Sequence, residues 1–113
     1  MLYVTFGDIK EGRMREYQDW VKKNEGPLGK HAPRGWIYRG TWGSVFGFGE
    51  HDIAQMWEIK NYGDLDAARD HTDATFERLG EERSEFFLPG SGQSILLREV
   101  GDLRITEPKK PKK

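Results

Sequence analysis

The sequence predicts a single α+β domain in which four antiparallel strands form one sheet and two helices pack on one face of it. Three observations support this prediction. The chain has 113 residues, enough for one domain and not for two. Four short segments are rich in β-branched and aromatic residues, which is typical of strands. Two longer segments repeat apolar residues at helical spacing.

The first strand is predicted at residues 2–6, where Gly7 and Asp8 follow a run of apolar and β-branched residues. The first helix is predicted at residues 13–24, because Met14, Tyr17 and Val21 recur at spacings of three and four. We expect Gly26-Pro27 to end this helix, and residues 28–34 to form a loop.

The second and third strands are predicted at residues 35–42 and 53–59, joined by a glycine-rich hairpin connection at residues 43–51. Asp64 is the expected cap of one long second helix, and Gly80 is expected to bend or break it. The fourth strand is predicted at residues 94–100. The apolar stripe of the second helix comprises Leu65, Ala68, Thr72, Phe76, Leu79, Arg83 and Phe86.

The resulting order β-α-β-β-α-β is the ferredoxin-like arrangement. Its strands carry apolar residues on both faces, whereas a sheet with one solvated face should alternate apolar and polar residues. Two helices cover one face only. We therefore expect a homodimer in which a second copy of the sheet covers the other face. The alternation also predicts that Trp36, Tyr38 and Trp42 share one side of the second strand.

Composition excludes several classes of protein. The chain has no cysteine, which excludes a disulfide scaffold and any thiolate metal site. No run approaches the 18 apolar residues of a membrane span, and no signal peptide is visible, so we expect a cytoplasmic protein without membrane contacts. No pair of histidines has metal-ligand spacing. The prediction is therefore a protein with neither a metal nor another cofactor.

Charge separates the body of the chain from its end. The net charge is −1, yet four lysines lie within residues 109–113. Without residues 107–113, 14 basic residues face 18 acidic ones and the net charge is −4. An acidic body is a poor nucleic-acid binder, because such binding depends on neutralising phosphates. We predict one domain at residues 1–106 and a dispensable basic tail at residues 107–113.

Three segments resemble a known superfamily, and the resemblance covers roughly residues 1–100. They are the short first strand, the helix start at residues 12–20 and the junction at residues 56–65, in which a strand ends and Tyr62-Gly63-Asp64-Leu65 opens a helix. The chain resembles the dimeric α+β barrel superfamily, and the junction looks most like its NIPSNAP-type branch. It is also similar to the antibiotic-biosynthesis monooxygenase and stress-responsive branches. The resemblance implies a ferredoxin-like homodimer, and the superfamily contains enzymes as well as proteins with no known reaction.

His71 is the candidate catalytic residue. It lies three positions beyond Ala68, at the border of the buried stripe, so it could point into a cleft between helix and sheet. A histidine there can transfer protons near neutral pH. Cyclase-type members of the superfamily have a similar histidine together with one on the first strand, where this chain has Tyr3 and Thr5. The alternative is a half-exposed helix residue with a local partner.

Four aromatic residues are the candidate ligand-binding residues: Trp36, Tyr38, Trp57 and Phe76. They could line an apolar pocket for a small, planar aromatic or polyketide-like ligand. The alternative is that they form core or dimer contacts. We therefore predict a small-molecule-binding dimeric α+β barrel protein of NIPSNAP type. The competing hypothesis is a cofactor-independent monooxygenase or related enzyme acting on an aromatic or polyketide-like substrate.

Overall fold

The computed structural model describes residues 1–45 and 50–103. The four strands form one antiparallel sheet in the order β2-β3-β1-β4, which confirms the predicted ferredoxin-like fold. The middle of the 43–51 connection and the tail at 107–113 lie outside the described residues, so the boundary at residue 106 stays a prediction. The elements are β1 Leu2–Gly7, α1 Met14–Lys30, β2 Ile37–Gly43, β3 Ile53–Glu58, α2 Gly63–Arg69, α3 Ala74–Ser84, β4 Gln93–Leu97 and a 3-10 turn at Val100–Asp102.

Strand register divides the sheet into two faces. Tyr3 of β1 lies opposite Trp57 of β3, which lies opposite Tyr38 of β2, and directly opposed residues share a face. Trp57 packs with Leu28 of α1 and Leu79 of α3. This face is therefore the one that the helices cover, and we call it the helix side.

The opposite face, here the open face, is apolar along all four strands. Some of its side chains are strongly exposed in the single chain, with Ile37 at 42%, Leu97 at 47% and Trp42 at 57%. Arg39 pairs with Glu58 of its own chain there, at 3.2 Å. Thus the sheet is apolar on both faces, as its sequence predicts. The apolar residues of the open face are Leu2, Val4, Phe6, Ile37, Trp42, Ala54, Met56, Ile95 and Leu97.

The prediction that Trp42 shares a side with Trp36 and Tyr38 is wrong. The pairing of β2 with β3 shifts register between Tyr38 and Thr41, and Gly40 between them has a φ of 106°. This bulge inserts one residue, so Thr41 takes the helix side and Trp42 the open face. Any residue at position 40 must adopt this positive φ, which glycine does readily and a residue with a side chain does not.

The sequence predicts that helix α1 ends at Gly26-Pro27, but the helix continues to Lys30. Proline lacks an amide hydrogen and costs about 3 kcal/mol inside a helix. The carbonyl of Pro27 still accepts a bond from the amide of His31 at 2.9 Å. Leu28 is 4% exposed in the core beside Trp57. Burial of Leu28 is therefore the gain that offsets the proline.

The predicted second helix is two helices, and the break is not at Gly80. Helix α2 ends at Arg69 and α3 begins at Ala74, whereas Gly80 lies inside α3. Asp73 caps α3, since its side chain accepts a hydrogen bond from the amide of Phe76 at 2.8 Å. Asp64 instead accepts bonds from the amides of Lys60 and Asn61, so it organises the turn that precedes α2.

The core consists of two clusters on the helix side. Tyr17 and Phe86 centre one cluster with Ile9 and Ile53. Leu28, Trp57 and Leu79 form the other. Trp20 of α1 packs against both clusters, and its ring nitrogen donates to Glu82 of α3 at 3.2 Å. No helix among the described residues is both long and apolar enough to cross a membrane.

Candidate functional site

Four aromatic rings gather around Trp57 on the helix side, and His71 joins their edge. The ring centroids of Trp36 and Tyr38 lie 5.7 and 5.2 Å from that of Trp57. Phe76 lies 6.3 Å from Trp57, and His71 lies 5.4 Å from Phe76. The structure thus brings together all five residues that the sequence singled out as candidates. We call the set Tyr3, Trp36, Tyr38, Trp57 and Phe76 the aromatic cluster.

Trp57 is the buried centre of the aromatic cluster. Its side chain is 2% exposed and packs against Leu28 and Leu79. Trp36, Phe76 and His71 are only partly buried. A ligand would therefore meet the rim of the cluster, with Trp57 as its backing rather than its first contact.

A chain of hydrogen bonds fixes the polar edges of the cluster. Trp57 Nε1 donates to Gln55 Oε1 at 2.9 Å, and Gln55 Nε2 donates to Thr41 Oγ1 at 3.5 Å. Tyr38 donates to Glu25 at 3.0 Å and lies 2.5 Å from Thr41. Indole is a donor only and a carboxylate an acceptor only. Every bond therefore points from Trp57 towards Glu25, with Thr41 donating to Tyr38.

The surroundings of Tyr38 keep its hydroxyl protonated. Burial raises its pKa above the ordinary value of 10.0, the bond from Thr41 opposes that rise, and the Glu25 carboxylate adds to it. Tyr38 consequently serves as a neutral donor across the pH range of ordinary proteins. Its phenol group is committed to Glu25, so the residue can position neighbouring groups but is a poor base.

His71 uses one ring nitrogen to hold the start of the 31–36 loop. Its Nε2 lies 2.7 Å from the carbonyl oxygen of His31, and a carbonyl can only accept, so Nε2 carries the proton. In the neutral ring this leaves Nδ1 as an acceptor. His71 is thus half-buried at the rim. One ring nitrogen holds the loop, and the other has no hydrogen-bond partner among the described residues.

His31 and Asp73 form a pair that the sequence analysis did not identify. His31 Nδ1 lies 2.9 Å from Asp73 Oδ2, and both side chains are about one third exposed or less. Because a carboxylate accepts, Nδ1 carries the proton and Nε2 is the acceptor of the neutral ring. A carboxylate in this position orients the imidazole. The pair can therefore act as an oriented base beside His71.

Asp73 also makes stability depend on pH. Its bonds from the amide of Phe76 and from His31 lower the pKa of its carboxyl below the ordinary value of 3.8. A lowered folded pKa stabilises the protein above the unfolded value and loses that contribution as pH falls through the folded one. We expect Asp73→Asn to be less stable than the wild type at pH 5, and this difference to shrink below pH 3.8.

Urea unfolding at several pH values measures the effect. Asp66→Asn is the matched control, because Asp66 is strongly exposed and its ion pair with Arg69 is long, at 3.8 Å. Such an exposed pair contributes little to stability. A stability difference for Asp73→Asn that stays constant across the acid range would contradict the prediction.

A separate cavity of about 860 Å³ lies at one end of the sheet. Its walls include Met1, Ile59, Arg98 and Asp102 rather than the aromatic cluster. In the described part of the chain, no three metal-ligating side chains come together.

No protein-family model and no curated protein matches the chain, but solved structures do. An uncharacterized NIPSNAP domain protein from Burkholderia xenovorans superposes with a TM-score of 0.68 at 14% identity, covering 92% of this chain and 98% of that one. A dimeric ferredoxin-like protein of unknown function from Thermobifida fusca gives 0.62 at 10% identity, covering 83% and 85%. A candidate antibiotic biosynthesis monooxygenase from Nitrosomonas europaea gives 0.62 at 8%, covering 88% and 97%.

These superpositions establish the fold, and sequence identities of 8–14% leave the activity open. The predicted resemblance is confirmed at that level: the chain has the ferredoxin-like α+β fold of NIPSNAP-domain and monooxygenase-like proteins.

Proposed function

We propose that this protein is a homodimer that binds a small phenol-type ligand at the rim of the aromatic cluster. The observation that carries the proposal is the pairing of ring faces with two oriented histidines. Phe76 offers an aromatic contact. His31 Nε2 and His71 Nδ1 are acceptors, because their other nitrogens already donate. A flat ring that carries a hydroxyl donor matches this arrangement.

The dimer is supported by the open face. Its exposed apolar side chains, Ile37, Trp42 and Leu97, lie on the two outer strands. Partly or fully buried apolar residues of β1 and β3 lie between them, and apolar surface of this kind is typical of interfaces. The Thermobifida fusca structure with the same fold is described as dimeric. A two-fold axis through the open face would bury the same patch of both copies.

Leu97→Lys tests the interface, because Leu97 is 47% exposed on the open face and a lysine there leaves the single chain intact. We expect the wild type to sediment at about 26 kDa, twice the chain mass of 13.1 kDa, and the variant to dissociate towards the single chain. Leu88→Lys is the matched control, at 46% exposure outside the open face. A wild type that sediments as a single chain would refute the dimer.

Simple phenols and their methyl ethers test the ligand. We expect phenols to raise the melting temperature and the ethers, which cannot donate, to raise it less. His31→Gln and His71→Gln should each reduce the phenol effect. His51→Gln is the matched control, since His51 bonds Gln93 and stacks on Phe6 away from the cluster. Equal shifts from phenols and ethers, or an equal loss in His51→Gln, would refute the proposal.

A cofactor-independent monooxygenase is the second candidate. The His31–Asp73 pair favours it, because an oriented base is what deprotonation of an electron-rich phenol requires. The phenolate then supplies the electrons for oxygen, and the protein contributes orientation and the base. Oxygen consumption with a hydroquinone-type substrate tests this activity. Turnover that persists in both His31→Gln and His71→Gln would exclude these residues as the base.

A further inference from the structure

We propose that a second cavity, whose walls are formed by residues other than those of the aromatic cluster, binds a small aromatic carboxylate. It measures about 390 Å³ and lies between the end of β1, the end of α3 and the segment that leads to β4. This volume is at the lower end of the range for ligand sites. We call it the Lys10–Arg83 cavity. Its walls are Phe6, Lys10, Arg83, Ser84, Phe87, Leu88, Pro89, Ser91 and Gly92.

Backbone pairing holds the walls in place. Ile9 and Phe87 form an isolated antiparallel bridge. The amide of Lys10 donates to the backbone carbonyl of Phe86 at 2.9 Å, and the amide of Leu88 donates to the backbone carbonyl of Asp8 at 2.8 Å. The two sides of the cavity are therefore one hydrogen-bonded unit, so that a ligand would enter a largely formed site.

The charge of the cavity is positive although the protein as a whole is slightly acidic. Lys10 and Arg83 are half-buried, and none of the described residues that form the walls carries a carboxylate side chain. Neither cation forms a salt bridge within 4.0 Å among the described residues. Desolvation of an unpaired charge is costly, so a partly buried cation gains from an acidic partner. An external anion would supply that partner.

Arg83 is placed to accept such an anion. Its guanidinium lies over the ring of Phe87, 4.5 Å from the centroid, which occupies a face of the group and leaves the in-plane hydrogens for hydrogen bonds. Arg83 also lies beside the Tyr17 hydroxyl: burial raises the pKa of that hydroxyl, and the charge of Arg83 and a hydrogen bond with it oppose the rise. Tyr17 thus helps to hold the guanidinium in place at the wall of the cavity.

The two serines narrow the chemistry of the ligand. The Ser84 hydroxyl donates to the backbone carbonyl of Glu81 at 2.8 Å, and the Ser91 hydroxyl donates to the backbone carbonyl of Leu88 at 2.7 Å. Each hydroxyl has one hydrogen, so both donors are already used. Binding of the anion therefore rests on Lys10 and Arg83, the two cations that line this cavity.

The remaining walls select the body of the ligand. Phe6 and Phe87 supply ring surfaces, and Leu88 and Pro89 supply aliphatic ones. A flat apolar group fits these contacts and the small volume. An aromatic carboxylate such as benzoate combines that group with the charge that Lys10 and Arg83 require.

Calorimetric titration of the full chain with benzoate and with uncharged benzamide tests the proposal. We expect benzoate to bind about tenfold or more tightly than benzamide, because charge-assisted hydrogen bonds are roughly twice as strong as neutral ones. Added salt should lower the affinity for benzoate and leave the affinity for benzamide nearly unchanged. Lys10→Gln should reduce benzoate affinity to a similar degree, and Lys22→Gln, an exposed control on α1, should not.

The variants also separate this site from the aromatic cluster. Arg83→Gln should lose benzoate binding, and Lys10→Gln provides the same test if Arg83→Gln fails to fold. The double variant His31→Gln, His71→Gln should keep it, whether or not phenols bind. No benzoate binding up to about 10 mM, equal affinity for benzamide, or unchanged affinity in Lys10→Gln would overturn the proposal.

Discussion

Trp57→Ala lowers the free energy of unfolding by about 3–5 kcal/mol, the usual range for a large buried aromatic residue. Trp57 is 2% exposed and packs with Leu28 and Leu79, so truncation leaves a cavity in the core. It also removes the donor to Gln55, a buried polar residue at 6% exposure. Chemical unfolding at fixed protein concentration measures the loss.

Tyr62→Ala is the control for this prediction. Tyr62 is 58% exposed and its ring meets Arg98 at 5.4 Å, an exposed contact worth about 0.5–1 kcal/mol. A loss in Trp57→Ala no greater than the loss in Tyr62→Ala would show that the aromatic cluster is not packed as described. Trp57→Phe should lie between the two, because it keeps part of the ring and loses the donor.

The strands and their order were predictable because they depend on local pattern. Successive residues of β1 and of β3 lie on opposite faces of the sheet, without interruption. The antiparallel pairing of the two strands runs from Leu2 opposite Glu58 to Gly7 opposite Ile53. Apolar residues on both faces were visible in the sequence for the same reason. A period of two carries this information without knowledge of the tertiary structure.

The bulge in β2 was not predictable from that period. One inserted residue moves every following side chain to the other face, so Trp42 changed faces while Trp36 and Tyr38 did not. Gly40 was the local signal, since an isolated glycine inside a strand marks a possible bulge. Its φ of 106° shows that the backbone uses the freedom that glycine provides.

Helix ends were set by tertiary contacts that outweigh local propensity. Pro27 argued for an early end of α1, but burial of Leu28 keeps the last turn helical. Gly80 argued for a break in α3, but the break lies where Asp73 caps the helix. A proline or glycine shifts the local free energy by a few kcal/mol at most, and one buried leucine contributes a comparable amount.

His71 was identifiable because it borders an apolar stripe on one helix. The His31–Asp73 pair joins residues 42 positions apart, so no local pattern contains it. His31 follows α1 only because that helix continues past Pro27, and Asp73 is available only because α2 and α3 are separate helices. The residues that the sequence analysis missed are thus the ones whose placement depends on the two helix boundaries it misjudged.

Gly7→Ala lowers the free energy of unfolding by about 1–3 kcal/mol through overpacking, the second largest effect that we expect. A Cβ at residue 7 would lie 2.4 Å from Cδ1 and 2.6 Å from Cε1 of Phe87. Two neighbours resist displacement of the ring, so that it can move only towards the cavity that it lines. Tyr17 contacts it edge-on with centroids 5.2 Å apart, and Arg83 lies over it at 4.5 Å. The backbone of Phe87 is itself bridged to Ile9.

A double-mutant cycle identifies Phe87 as the source of that loss. Phe87→Leu removes the ring edge, so Gly7→Ala should cost less in the Phe87→Leu background, with a coupling within the range of about 0.5–3 kcal/mol seen for contacting residues. Gly101→Ala is the control, because a Cβ at that position would meet no atom of the described residues within 4 Å beyond its own chain neighbours. Additive losses would show that the clash lies elsewhere. Because Phe87 also lines the Lys10–Arg83 cavity, Gly7→Ala should weaken benzoate binding as well, whereas Gly101→Ala, outside the walls of that cavity, should not.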